Sequence, residues 1–231
     1  MESEFTPFMK DLETGFQSTT GLPNRSFYKI FYGQIRPAPI LTLGINPGGD
    51  PANTNPDGYR HKDGVLAAAS PSFFENNEHG ILDCEWKENI GLRKVFIPLL
   101  GHDSKRIRNE VVKTNLAFRR SAKATQIQKQ KAIDESAPFL AEIIDVVRPK
   151  LVVLTGPKIS TFTDRFAHSS MIVAEPEKDP GVKQTVFAAS NVVLQGSEME
   201  MLVVQIAHAS QFSWTYERYS IVDRIRDLTD Y

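Results

Sequence analysis

The sequence predicts an α/β protein of three layers (α/β/α), in which helices cover both faces of a central, mainly parallel four-stranded sheet. Two observations predict this fold. Strand-like apolar runs alternate with helical patterns, and strands separated by helices pair in parallel through right-handed crossovers. The chain has 231 residues and is 41% hydrophobic, which is enough to bury one sizeable core. We therefore expect a single domain over residues 1–231, with a helical N-terminal extension over residues 1–38.

Four strong apolar runs are the predicted strands of this sheet, and two weaker runs are further candidates. The strong runs are, in order, Ile40–Ile45, Val111–Phe118, Leu151–Thr155 and Leu202–Ala207. The weaker runs, Met171–Ala174 and Thr185–Ala188, lie between the third and fourth strong runs.

Helical patterns occupy the stretches between and after these strands. The longest predicted helix ends where Arg148 precedes Pro149, because the residue before a proline is pushed out of the α region. The last predicted helix is amphipathic. The predicted helices are Glu88–Leu100, Ile127–Val147, residues 156–168 and Tyr216–Leu228.

Cysteine and histidine usage excludes several classes of metal and disulfide protein. The single cysteine, Cys84, cannot form a disulfide within the chain or an all-cysteine zinc or iron–sulfur site, and we expect it to be a small buried hydrophobe. Four histidines, His61, His79, His102 and His168, lack a metal-ligand spacing, so we expect them to be structural or exposed. The expected cofactors and metals are therefore none.

Targeting signals are not visible in the sequence. The first ten residues, "MESEFTPFMK", are acidic at once and have no basic stretch followed by an apolar core. No apolar run approaches the roughly 20 residues of a membrane span. We expect an intracellular protein, cytoplasmic or, in a eukaryote, nuclear, with no membrane partner, and we expect a monomer.

Positive charge is concentrated in one stretch of the chain. Lys105–Lys131 contains nine basic residues and one acid, Glu110, so it carries +8 in a chain whose net charge is −1. A basic stripe of this kind indicates a polyanion such as a nucleic acid as the partner. The alternative is a solvated helix face whose charges are offset by acidic neighbours in the fold.

Unusual residues follow the predicted strands. The first strand leads into "GINPGG" at residues 44–49, where glycines and a proline would hold the Asn46 side chain in a fixed place. The alternative is an ordinary tight turn. The second strand carries Asn115 in "TNLAFRRS", and the last leads into "QIAHASQFSW" with His208 and Ser210. Since ligands bind beyond the carboxyl ends of parallel strands, these side chains are expected to converge on one crevice.

These motifs resemble those of the uracil-DNA glycosylase superfamily. "GINPG" at residues 44–48 is similar to the first motif of the mismatch-specific uracil/thymine glycosylases, and differs slightly from the Gly-Met-Asn-Pro-Gly of the single-strand-selective branch. "HAS" at residues 208–210 resembles the His-Pro-Ser second motif, and "TNLAFRRS" resembles the Asn-bearing middle strand. Two features depart from the pattern: Ala209 replaces the usual proline, and the insert of residues 50–72 has no match.

The resemblance implies an uracil-DNA glycosylase-like fold and a DNA glycosylase that hydrolyses the N-glycosidic bond of uracil, or of a related damaged pyrimidine, after flipping the base out of the helix. Asn46 would orient the water, and His208 would donate a hydrogen bond to the base carbonyl where negative charge accumulates. Asn115 would read the pyrimidine edge. The expected pocket residues are Gly44, Ile45, Pro47, Gly48 and, for stacking on the base, Tyr59, with Phe73 or Phe74 as alternatives.

The resemblance also implies contacts with the DNA backbone. Ser210 would bind a phosphate, or else bond within its own turn. Phe212 or Trp214 would be a wedge inserted into the duplex, and Arg119 and Arg120 would contact phosphates. Two other classes stay open. One is a catalytically inactive nucleic-acid-binding protein with the same fold. The other is a nucleotide-binding α/β enzyme, although the chain lacks both G-x-G-x-x-G and G-x-x-x-x-G-K-[ST].

Overall fold

A six-stranded sheet forms the middle layer of the protein in a computed structural model that describes residues 4–22, 27–47, 81–82, 87–120 and 128–231. Its strand order is β2-β1-β3-β6-β5-β4. Strands β1, β2, β3 and β6 run parallel, whereas β4 and β5 pair antiparallel. The strands are β1 (Ile40–Gly44), β2 (Val111–Asn115), β3 (Leu151–Thr155), β4 (Ala167–Lys178), β5 (Thr185–Leu194) and β6 (Glu200–Ile206).

The predicted α/β class and the four parallel strands are confirmed, but the sheet has six strands and not four. The two weak candidates belong to longer strands, β4 and β5, that extend one edge of the parallel sheet. Most of β4 is exposed or half-buried, and Met171 and Ile172 are among its exposed side chains. A strand that buries so little carries a weak apolar pattern, which explains why its length was underestimated.

Helices cover both faces of the sheet. One face packs against α1, α4 and α5, and the other packs against α2, α3, α7 and α8. The helices are α1 (Thr6–Thr20), α2 (Lys87–Leu99), α3 (Ser104–Glu110), α4 (Lys129–Val147), α5 (Ile159–Phe166), α6 (Ala209–Phe212), α7 (Thr215–Arg218) and α8 (Ile221–Asp227). None of these described helices is long and apolar enough to cross a membrane.

Three helical predictions need correction. The predicted terminal helix is divided into α7 and α8 at Ser220, whose φ of 47° is left-handed and ends a helical run. In the described part of the N-terminal extension, α1 is the only helix, and residues 27–39 contain none while burying Tyr28 and Phe31. Helix α3 was not predicted, because its charged sequence buries only Ile107.

The alternation of side chains along the parallel strands assigns each residue to one face of the sheet. Ile40, Val111 and Leu151 pack in the same cluster as α2, so every second residue after them also points to this face, here called the α2 face. The set on the α2 face includes the last residue of three strands. These residues are Gly44, Asn115 and Thr155. Lys113, two residues before Asn115 on β2, points to the same face.

Candidate active site

Gly44 lies at the carboxyl end of β1 beside two side chains of the α2 face. It pairs in register with Asn115 of β2. A Cβ atom on Gly44 would stand 2.4 Å from Asn115 Oδ1 and 3.0 Å from Glu88 Oε1. Both oxygens therefore face the space above this glycine. The position requires glycine because of this close approach, since Gly44 does not have a positive φ.

Asn46 follows β1 and is half-buried at the same edge of the sheet. Its Nδ2 donates to the Pro47 carbonyl at 2.9 Å, so Oδ1 lies on the opposite side of the amide group. Pro47 is buried, and Ile45 packs against the core on the far side of the sheet from α2. The remaining residues expected near this turn lie outside the described residues, namely Gly48, Tyr59, Phe73 and Phe74 with the insert 50–72.

Asn115 ends β2 and is 1% exposed. Its Nδ2 donates to the Tyr32 hydroxyl at 2.8 Å. Because the amide nitrogen is engaged there, the amide oxygen is the atom directed over Gly44. The site thus presents a hydrogen-bond acceptor at this point.

His208 follows β6 as the N-cap of α6 and is half-buried. Its Nδ1 accepts the backbone N–H of Ser210 at 3.3 Å and lies 2.9 Å from the Ser210 Oγ. A nitrogen that accepts a backbone N–H carries no proton, so a neutral His208 has its proton on Nε2. Gly156, which has a φ of 99°, packs against the ring. A Cβ at this position would be 3.1 Å from His208 Cδ2.

The surroundings of His208 favour its neutral form. Burial lowers the pKa of His208 below its ordinary value. The Glu88 carboxylate opposes this shift and the Lys113 ammonium adds to it. At neutral pH the ring is therefore a neutral donor through Nε2–H. Among the described residues, none accepts a hydrogen bond from this nitrogen.

A buried ion pair between α2 and β2 lies beside these residues and was not anticipated from the sequence. Glu88 Oε2 accepts from Lys113 Nζ at 2.9 Å, and the same ammonium donates to Asn89 Oδ1 at 2.7 Å. Glu88 Oε1 accepts from Thr155 Oγ1 at 3.4 Å. The Lys113 Nζ also stands 4.7 Å from the centre of the Tyr32 ring. The ion pair therefore connects α2 to the Tyr32 ring, whose hydroxyl accepts from Asn115.

The Glu88 carboxylate is ionised at neutral pH. Burial by itself raises the pKa of Glu88, but the charge and hydrogen bond of Lys113, with smaller contributions from His208 and Thr155, hold it below its ordinary value. The sequence did contain a signal for this residue. Glu88 lies four and seven positions before the buried Leu92 and Val95, so an acid occupies the apolar stripe of α2.

The contact between α2 and α6 depends on a second glycine. A Cβ on Gly91 would lie 2.2 Å from the Ala209 carbonyl oxygen. Gly91→Ala is therefore expected to push α2 away from the His208 turn and to lower the free energy of unfolding by about 1–3 kcal/mol. The measurement is the urea midpoint.

Gly15→Ala in α1 is the matched control, because its new methyl group meets only the Phe139 ring, at 3.2 Å, and alanine favours a helix. Equal stability of the two variants would contradict the backbone contact between α2 and α6.

The residues expected to contact DNA have different surroundings. Ser210 bonds to His208, as in the alternative interpretation of a turn serine. Phe212 is half-buried against Val182, Val186 and Ala207, whereas Trp214 is 46% exposed. Of the two wedge candidates, Trp214 is thus the one available to a partner.

The two arginines after β2 require a correction. Arg120 is 6% exposed and its Nε donates to the Tyr28 carbonyl at 3.2 Å, so it is not presented to a phosphate. Arg119 is partly exposed, but its guanidinium forms a two-point pair with Glu135 of α4. The expectation that both arginines bind phosphates is therefore wrong for Arg120, and for Arg119 it requires exchange of a partner.

The basic segment is not one face of the protein. Lys105, Arg106 and Arg108 lie in α3, before the amino end of β2, and Arg106 pairs with Glu110. Lys113 is buried inside β2. The exposed Lys129 and Lys131 begin α4, which runs opposite to the strands. They therefore lie near the carboxyl ends of the parallel strands, here called the carboxyl edge of the sheet. The basic residues before and after β2 are separated because they lie at opposite ends of this strand.

The histidines outside the site agree with the sequence prediction where they are described. His102 and His168 are exposed. His61, His79 and Cys84 lie outside the described residues.

Comparison with known proteins gives no family for this chain. No protein-family model matches it, and no curated protein matches it.

Proposed function

We propose that this protein is a DNA glycosylase that hydrolyses the N-glycosidic bond of uracil, or of a related pyrimidine, in DNA. The observation that carries the proposal is the placement of Asn46, Asn115 and His208. All three lie at the carboxyl edge of the parallel sheet, and neither Asn46 nor His208 is packed into the core. Strands β1 and β6 flank β3, so their ends are about 10 Å apart, a span that accommodates a nucleoside.

The chemistry of these groups fits the charges that develop in the reaction. Breaking the bond leaves positive charge on the sugar and negative charge on the departing base. Neutral His208 donates its Nε2–H to the base carbonyl oxygen that gains charge. Asn115 Oδ1 accepts the N3–H of uracil, which disfavours cytosine because its N3 has no proton. The Asn46 amide oxygen orients the attacking water.

The charge near the carboxyl edge supplies contacts for the DNA backbone. Lys129→Ala with Lys131→Ala is expected to reduce the dependence of log K on log salt by about 2, because each phosphate contact releases close to one counterion. The measurement is binding to a fluorescent oligonucleotide between about 50 and 200 mM salt.

Lys105→Ala with Arg108→Ala removes the same charge from the opposite edge of the sheet and is the matched control. A smaller slope in this control, with an unchanged slope in the Lys129/Lys131 variant, would mean that DNA binds at the amino ends of the strands. That result would contradict the proposed site.

The direct test is excision. Labelled oligonucleotides with one uracil, as a single strand, opposite adenine or opposite guanine, are incubated with the protein and treated with alkali. We expect strand cleavage at the uracil, and none in oligonucleotides with cytosine at that position. Folded protein that binds these oligonucleotides without producing abasic sites would overturn the enzyme and favour the inactive nucleic-acid-binding protein.

A further inference from the structure

The Glu88–Lys113 pair has no role in the chemistry described so far, although Glu88 lies beside Gly44 and Asn115. Lys113 is 3% exposed, and removing two charges from water is costly unless their geometry compensates for it. An apolar pair at these positions would also fill the space between α2 and β2. A charged pair beside Gly44 and Asn115 therefore calls for an explanation other than packing.

The two oxygens of Glu88 face different surroundings. Oε2 is held by the Lys113 ammonium, while Oε1 faces Thr155 and the space above Gly44. The Glu88 side chain is 20% exposed. One oxygen is thus anchored, and the other is directed to the end of β1, where the chain continues to Asn46. Glu88 Oε1 therefore faces the residue from which the chain leaves the sheet, two positions before Asn46.

The described residues that have a role in the reaction so far do not include a proton acceptor. Hydrolysis must remove a proton from the attacking water, and the Asn46 amide cannot accept one at neutral pH. A carboxylate can, and even a weak base suffices when the sugar is already cationic before water attacks. Glu88 is the ionised carboxylate that faces Gly44 in the described part of the cleft.

We propose that Glu88 is the catalytic carboxylate of this site, an inference that rests on the glycosylase function proposed above. The C1′–N bond breaks and its electron pair leaves with the base, whose carbonyl oxygen is held by His208. Water oxygen bonds to C1′ while its proton passes to Glu88 Oε1. The departing base anion then takes this proton from Glu88, which returns the carboxylate to its charged form. Lys113 anchors Oε2 throughout.

The first test is Glu88→Gln, which keeps the shape of the side chain and removes its charge. We expect the single-turnover rate of uracil excision to fall at least ~10²-fold, the lower range for losing an acid–base group. The affinity for the same oligonucleotide should stay equal or increase, because a negative charge has been removed. Glu177→Gln on β4, whose carboxylate pairs with Arg224 outside the cleft, is the matched control and should keep the wild-type rate.

A second variant separates chemistry from charge balance. Glu88→Gln leaves the Lys113 ammonium without its counter-charge, which can itself damage the fold. The double variant Glu88→Gln/Lys113→Met removes both charges, and thermal unfolding reports whether each protein is folded. If Glu88 is the proton acceptor, the double variant is as slow as the single variant.

The outcomes distinguish this inference from the glycosylase proposal. Slow excision by both variants, with the control at the wild-type rate, supports the catalytic carboxylate. Recovery of the rate in the double variant would show that Glu88 only balances Lys113, and a rate within about 3-fold of wild type in Glu88→Gln would show no role in the chemistry. Either result overturns the inference and leaves the glycosylase proposal intact. A wild-type protein that excises no uracil overturns both.

Discussion

Replacing His208 with alanine is expected to slow uracil excision at least ~10²-fold while DNA affinity stays nearly constant. The reason is that Nε2–H donates to an oxygen whose charge appears only as the glycosidic bond breaks, so the hydrogen bond is stronger in the transition state than in the bound substrate. The measurement is the single-turnover rate on a uracil oligonucleotide, together with its binding affinity under the same salt conditions.

Ser210→Ala provides a graded comparison for this experiment. It removes the Oγ beside Nδ1 but keeps the backbone N–H that selects the Nε2–H tautomer. We expect a loss of only a few-fold, since the ring loses one of two contacts that orient it. Equal losses in His208→Ala and Ser210→Ala would mean that the turn, and not the imidazole, is needed. An unchanged rate in His208→Ala would remove this residue from the mechanism.

Asn115→Asp is expected to slow uracil excision to a comparable extent, at least ~10²-fold at pH 8. The departing base is anionic, and a carboxylate at the floor of the cleft would repel it. Lys113 already pairs with Glu88, and Glu88 Oε1 shares the space above Gly44 with residue 115. Two carboxylates placed together cannot both ionise easily, so one of them is expected to have a raised pKa.

This argument gives the Asn115→Asp effect a pH dependence. As the pH falls, the carboxyl group introduced at position 115 gains a proton first, because Lys113 keeps Glu88 ionised, and the repulsion is lost. The ratio of wild-type to variant rate should therefore be larger at pH 8 than at pH 5. Asn191→Asp makes the same change at an exposed position of β5 and should leave the rate unchanged at both values. A ratio near one for Asn115→Asp at pH 8 would show that this asparagine only ends its strand.

Prediction of the fold succeeded where buried residues produce a strong apolar pattern in the sequence. Strands such as Leu151–Thr155 are buried on both faces, so they appear as continuous apolar runs, and their separation by helices indicates parallel pairing. The same reasoning underestimated the length of β4, whose side chains are mostly exposed. It also did not detect the break at Ser220, because a polar residue in a left-handed conformation does not change the apolar periodicity.

The placement of the three candidate residues follows from the same strand topology. Asn46, Asn115 and His208 were expected to share one edge because each follows or ends a parallel strand, and these strands do end at one edge. The alternation within β2 also places Lys113 and Asn115 on one face. The glycines were assigned a turn role, whereas Gly44 is set by its contacts with neighbouring side chains.

The α/β class, the parallel strands and the strand ends that carry the polar residues were all predictable from the sequence. These properties depend on the periodicity of burial and on residues close in the chain. Three features follow from tertiary packing instead: the pairing of Glu88 with Lys113, 25 residues away, the burial of Arg120, and the division of the basic segment between the two ends of the parallel strands. Such features depend on which side chains from distant segments share a low-dielectric space, and the energy of a charge is set by those neighbours rather than by its own sequence.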